Sequence, residues 1–181
     1  MKRRGGVVLA LATIVVAALA STAGAGSSAV TATQAINCKS TVKLALITPL
    51  TGGGGFIGQE QLSWAKYAVK TLAKKYGLKV QLLQGDTPVE KGPGEGLVVA
   101  QKFISDPKVL VAIGPATSGG VASASGALTA AGIAQISPSN TYVGLTRAEG
   151  ADKGEPDKYY PSGKRTYGRV VPADHIQAAA Q

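Results

Sequence analysis

The feature that most constrains this chain is an alternation of short apolar runs with stretches of helical period. Val42-Lys43-Leu44-Ala45-Leu46-Ile47-Thr48 is a nearly continuous apolar run of strand length, suited to a parallel strand covered on both faces. A glycine-rich loop, Pro49 to Gly58, follows it. From Gln59 to Tyr76 the residues Leu62, Ala65, Ala68, Val69, Leu72, Ala73 and Tyr76 recur at spacings of three and four, which predicts a helix stopped by Gly77. Leu78 to Leu83 predicts a second strand, ended by Gly85-Asp86-Thr87-Pro88. Gly96 to Ser105 predicts a second helix, Val109 to Ile113 a third strand, Ser118 to Ala131 a third helix, and Ile133 to Ile136 a fourth strand. The order β-α-β-α-β-α-β specifies an α/β fold, a doubly wound parallel sheet with right-handed crossovers.

Composition narrows the chemistry such a sheet can carry. With 45% hydrophobic residues the 181-residue chain has the apolar fraction of a globular protein. A single cysteine excludes an internal disulfide framework and a zinc site built on several thiolates, and a single histidine leaves few routes to acid/base chemistry. The net charge of +9 raises the question of nucleic acid, so its placement matters. Lys2, Arg3 and Arg4 precede the apolar run Val7 to Ala20 and the small residues Ser21 to Ala25, the pattern of a secretory signal peptide over residues 1–25. The alternative, an uncleaved anchor helix, needs Gly5 and Gly6 counted into the span. Without those three basic residues the charge falls from +9 to +6. The remaining lysines and arginines are scattered along the sequence, with no basic run interleaved with aromatics, so no nucleic-acid partner is expected.

The leader places the mature chain in the periplasm or another extracytoplasmic space. Residues 26–40 lack periodicity and read as a flexible tail. Gln34-Ala35-Ile36-Asn37 before Cys38 is not the small-residue box that a lipidating peptidase reads, which leaves Cys38 free or paired outside this sequence.

Ligands of doubly wound sheets sit beyond the carboxyl ends of the strands. The loops to inspect are Pro49 to Gly58, Gly85 to Lys91, Gly114 to Gly119 and Ser137 to Thr146. The first contains Gly53-x-Gly55-x-x-Gly58, a weak dinucleotide fingerprint, because a four-glycine run matches many patterns and the next loop acid, Asp86, comes late. In the third loop, Thr117 and Ser118 stand where a strand delivers the backbone to a helix start, whose unpaired amides favour a carboxylate or phosphate. Taken alone, either residue caps its own helix. Ser137-Pro138-Ser139-Asn140-Thr141 brings more hydroxyls to the neighbouring loop. Two adjacent polar crevices without a nucleophile-base pair suit binding a small polar molecule better than transforming it.

Here an ordered set of segments carries a resemblance: Leu46-Ile47-Thr48-Pro49-Leu50-Thr51-Gly52, Gly58-Gln59, Val111 to Gly119, Ala131 to Ser139, and Gly168-Arg169-Val170-Val171-Pro172-Ala173-Asp174. Over about residues 41–181 the chain resembles the amino-terminal lobe of the leucine/branched-chain amino-acid binding proteins, the type I periplasmic receptors of ABC importers. The resemblance implies a non-enzymatic receptor without cofactor that captures an amino acid or related small solute between two lobes and presents it to a membrane permease. It implies that Ser118 donates hydroxyl and amide to the ligand carboxylate, that the Ser139 carbonyl meets the ammonium, and that Thr141 bonds both. Thr117 stands beside Ser118. Phe56 matches an aromatic that contacts ligand in many members, with packing against the following helix as the other reading, and Trp64 reads as helix packing. Asn140 shapes the loop between the two contacts.

On this reading residues 41–173 are the ligand-binding lobe and 174–181 begin the hinge and second lobe, with the carboxy-terminal lobe absent and the sequence therefore truncated. Val89 to Gly96 departs from the family by its glycines and Pro93, and Ala151 to Lys164 reads as a surface excursion. A sensory module of the same fold shares every one of these residues. An exported α/β enzyme needs a nucleophile elbow or a carboxylate pair; Gly-x-Ser-x-Gly is absent from the sequence, and His175 reads as an exposed or hinge-packing residue.

Overall fold

Strand β1 (Val42–Thr48) occupies the second position of a five-stranded sheet and dictates its layering. Its side chains alternate between two faces, as the period of a strand requires. Ala45 and Ile47 enter the larger apolar cluster with Val99, Ala100, Phe103, Ala124 and Leu128, whereas Leu46 joins Leu62 and Ala65 on the opposite side. A computed structural model describes residues 40–181; the segment expected to be a signal peptide and nearly all of the expected tail, with Cys38, lie outside the described residues.

The strands β2 (Val80–Asp86), β3 (Val109–Ile113), β4 (Ala134–Ser137) and β5 (Tyr167–Arg169) complete the sheet in the order β2-β1-β3-β4-β5. Every pairing is parallel, from Val42 opposite Val80 to Ser137 opposite Arg169. Helix α1 (Gly55–Ala68) covers one face, while α2 (Glu95–Ile104) and α3 (Ser118–Ala130) share the other. Each fully buried Leu or Ile on these faces contributes about 1.5–3 kcal/mol, which makes the two-sided coverage of β1 the main source of cohesion. α2 and α3 approach backbone to backbone: a Cβ at Gly96 would meet the backbone of Gly120 at 2.7 Å. The short α4 (Asp174–Ala180) ends the described chain. Among the described residues no helix is long and apolar enough to cross a membrane.

The doubly wound parallel sheet expected from the alternation is present, with several boundaries displaced. α1 begins at Gly55 and not at Gln59, so Phe56 stands in a helix and not in a loop. Gly58 lets the helix start that early, because a Cβ there would collide with the Pro49 carbonyl oxygen. From Val69 to Ala73 the helix widens into a π segment, where Thr71 Oγ1 bonds back to the Tyr67 carbonyl at 2.8 Å. That extra residue moves the apolar stripe around the helix by about 100°. Leu62 and Ala65 are buried as their spacing predicts, but Leu72 and Tyr76 are exposed. β2 starts later and runs further than its apolar run, so Gly85 and Asp86 belong to the strand.

Ala151 to Lys164 is more than a surface excursion. Glu155 and Tyr160 are buried within it. Tyr160 donates to the Leu145 carbonyl at 2.8 Å, and Glu155 accepts bonds from Tyr142 Oη at 2.7 Å, the Asp152 amide at 3.0 Å and Tyr159 Oη. Lys158 Nζ pairs with the same carboxylate at 2.8 Å. The segment is a strap fastened to the loop that follows β4.

Candidate functional site

A parallel sheet delivers the ends of β3 and β4 to one edge, side by side, and the chain then ties the two following loops together. The knot is the Ala116 carbonyl. It accepts Ser139 Oγ at 2.7 Å and Asn140 Nδ2 at 2.7 Å, so the loop before α3 and the loop after β4 share one acceptor. Asn140 is fully buried, and its Oδ1 accepts from Tyr167 Oη at 3.1 Å on β5. Ser137 Oγ accepts the amides of Ser139 (3.2 Å) and Asn140 (2.9 Å), folding the loop back on itself. Arg169 closes the far side by donating to the Asn140 and Tyr142 carbonyls, at 3.3 and 2.9 Å, and to Thr146 Oγ1 at 2.8 Å.

The start of α3 divides its donors between structure and solvent. An α-helix leaves its first four amides without intrahelical acceptors. Thr117 is the N-cap: its Oγ1 accepts the Gly120 amide at 3.1 Å and its carbonyl the Val121 amide at 3.0 Å. The amides of Ser118 and Gly119, and the Ser118 hydroxyl, take no acceptor among the described residues. The capping role weighed for this pair therefore belongs to Thr117 and leaves Ser118 half-buried with its hydroxyl and amide unspent.

Thr141 is also half-buried; its carbonyl accepts the Asp174 amide at 2.8 Å, joining the loop to the start of α4. Ser118, Ser139 and Thr141 thus lie on two loops stitched at Ala116. Phe56 stands apart on the first turn of α1, 76% exposed, which rules out the packing role considered for it. Trp64 is 66% exposed and stacks edge-on against Tyr67 with ring centroids 6.0 Å apart, contrary to the expectation that it packs the helix down. His175 is exposed, as expected, with Nε2 2.8 Å from Arg147 Nη1.

Four positioning residues were given no such role from sequence. Gln61 on α1 bridges strand and loop, accepting Thr48 Oγ1 at 2.7 Å and donating to Ser139 Oγ at 3.2 Å. Its sequence signal is a polar residue at the margin of the stripe that carries Leu62 and Ala65. Asp86 pins the first loop by accepting the Leu50 amide at 2.7 Å, the Thr51 amide at 3.2 Å and the Thr51 hydroxyl. Partial burial raises its pKa, but these three bonds and the charge of Lys91 outweigh it and hold the carboxyl below its ordinary value. Glu90 does the same for Gly53, whose amide it accepts, and is likewise lowered. Arg169 is the fourth; its signal is a lone arginine at the end of a short strand.

A depression of about 300 Å³ opens on the α2 and α3 side of this edge, lined by Thr87, Val89, Pro93, Gly96, Thr117 and Gly120 among others. Of the residues selected from sequence, it takes in Thr117. No group of His, Cys, Asp and Glu among the described residues is arranged to hold a metal ion.

No protein-family model and no curated relative matches the sequence. Solved structures do. The branched-chain amino acid transporter substrate binding protein LivJ from Streptococcus pneumoniae, crystallised with isoleucine, superposes with a TM-score of 0.59 at 24% identity, over 75% of this chain and 35% of its own. A leucine binding protein, LivK, from Thermotoga maritima gives 0.60 at 24% identity, over 77% and 35%. A solute binding protein of an ABC transporter from Rhodopseudomonas palustris, in complex with 3,4-dihydroxy benzoic acid, gives 0.54 at 22%, over 74% and 32%. The chain spans about a third of the length of each. The described residues accordingly have the α/β fold of a single lobe of the type I solute-binding proteins, the architecture on which the leucine/branched-chain amino-acid binding proteins are built.

Proposed function

We propose that this chain is the ligand-gripping lobe of an extracytoplasmic solute-binding receptor of an ABC importer, and that its ligand is an amino acid or a related small carboxylate. In this reading residues 41–173 form the lobe and 174–181 begin the passage to a second one. The observation that carries the proposal is the division of labour at α3: the Thr117 hydroxyl satisfies the otherwise orphan Gly120 amide, and Ser118 keeps its hydroxyl and amide for something else. A carboxylate set there receives charge-assisted hydrogen bonds and the favourable end of the helix dipole. The Ser139 carbonyl and Thr141 stand on the neighbouring loop for the ammonium group. The second lobe then closes by hinge motion, excludes water and completes the charge balance, and a permease reads the closed form.

Binding to one lobe leaves half of the desolvated contacts unmade, so affinity for a free amino acid is expected at about millimolar order. Titration of L-leucine, L-isoleucine and benzoate, followed by amide chemical shifts, is expected to move Ser118, Gly119 and Thr141. Ser118→Ala and Thr141→Ala should each weaken the response by about tenfold, the worth of one charged hydrogen bond. Unchanged shifts in either variant, or submicromolar binding by the single lobe, would count against the assignment.

A further inference from the structure

Helix α1 and its continuation to Lys79 carry a surface unlike the rest of the described lobe. Gly55, Gly58, Leu62 and Ala65 face the sheet. On the opposite side Phe56 and Tyr67 fall within about 20° of each other on a helical wheel, with Trp64 beside them. All three are more than half exposed, and Tyr76 is 64% exposed further along. Lys66, Lys70, Lys74, Lys75 and Lys79 interleave with them, all exposed, against the one acid Glu60. None of these lysines joins an ion pair among the described residues; Lys75 instead lies 5.4 Å over the Tyr76 ring. These five basic residues lie within fourteen consecutive positions, with Tyr67 and Tyr76 among them and Trp64 just before, a local cluster that the reading of the charges as scattered passes over.

We propose that this face of α1 docks on an anionic phospholipid bilayer, with the aromatic rings at headgroup depth and the lysines set against lipid phosphates. The physical warrant is the coincidence of two features that a membrane interface rewards together: amphipathic rings of Trp and Tyr, and unpaired positive charge that needs an anionic surface. Nucleic acid is the less favoured occupant. The segment holds lysines and no arginine, and Trp64 and Tyr67 meet edge to face rather than forming a parallel stacking platform. The proposal is independent of the ligand loops, so either can fail while the other stands.

Trp64 is the chain's one tryptophan and reports its own environment. Adding phosphatidylglycerol vesicles to the full chain is expected to shift Trp64 emission to the blue, and brominated acyl chains should quench it. Because the reporter sits on α1, a chain tethered elsewhere does not reproduce the quenching. Phosphatidylcholine vesicles should leave the emission unchanged, and raising salt from about 0.1 to 0.5 M should weaken the partition by at least about fivefold. The combined charge reversal K66E, K70E, K74E and K75E is expected to cost at least about tenfold in partition with the thermal melt unchanged, since these side chains are exposed and unpaired. Absence of quenching, equal quenching in phosphatidylcholine, or indifference to the charge reversal would overturn the proposal. So would an equal response to duplex DNA, or an emission shift that follows protein concentration without vesicles, which would mark a second copy as the occupant.

Discussion

Asn140 shows how much one side chain can hold. It is completely buried and spends its amide nitrogen on the Ala116 carbonyl and its amide oxygen on the Tyr167 hydroxyl. Replacing it with alanine leaves Ala116 with the Ser139 hydroxyl, but strands the Tyr167 hydroxyl and opens a void between two loops. Asn140→Ala is expected to destabilise the fold by about 2–3 kcal/mol, measured by urea unfolding, with the m-value unchanged. Read from sequence alone, Asn140 shapes a loop; its burial makes it the joint on which Ser139 and Thr141 depend. Thr117 teaches the complementary lesson. Its side chain is consumed by the cap, so among adjacent hydroxyls the one that completes the helix is not the one with a hydroxyl left over.

At the scale of elements, α1 departs furthest from its sequence pattern. The helix can approach the end of β1 only because Gly58 lacks a Cβ. Gly58→Ala is expected to lower stability by about 3 kcal/mol, visible as a lower thermal midpoint, because the obstacle is backbone and cannot rotate away. The alternation of strands and helices was legible in the sequence because local periodicity and burial agree: Leu62 and Ala65 point where their spacing says. Leu72 and Tyr76 do not, since the π segment shifts their phase, a backbone event with no hydrophobic signature. The strap was illegible for a different reason. Glu155, Lys158, Tyr159 and Tyr142 look like solvated surface residues until the fold brings them around one carboxylate. The loops of the candidate site could be located from sequence through the strand order, whereas the partners that orient them, Gln61, Asp86 and Arg169, are distant in sequence and appear only in three dimensions.

For the molecule as a whole, the carboxylates set the response to acid. Asp86, Glu90, Asp106 and Glu155 all sit below their ordinary pKa values, and each is held there by donors it accepts. Glu155 is the extreme: Lys158 first, then the Tyr159 hydroxyl, bring it down to about 2, against partial burial that pushes it up. The bond that Tyr142 itself donates to this carboxylate raises the Tyr142 hydroxyl to about 12. Because the folded value lies below the unfolded one, this stabilisation is fully present above the ordinary value of 4.5 and is lost as pH falls through about 2. The urea midpoint of the native chain is therefore expected to fall steeply across that window. In Glu155→Gln the fall should be shallower and start from a lower plateau. A variant that tracked the native curve in parallel would show that the strap carboxylate does not govern acid sensitivity.

The strand order has a consequence in time. After β1 and β2 pair, β3 joins the free edge of β1, and each later strand joins the edge left by its predecessor: β4 beside β3, β5 beside β4. The sheet thus grows in one direction along its width, in the order in which the residues emerge during synthesis or cross a membrane amino-end first. No described strand has to be inserted between two that already pair, so a nascent chain can lay down these five strands by accretion.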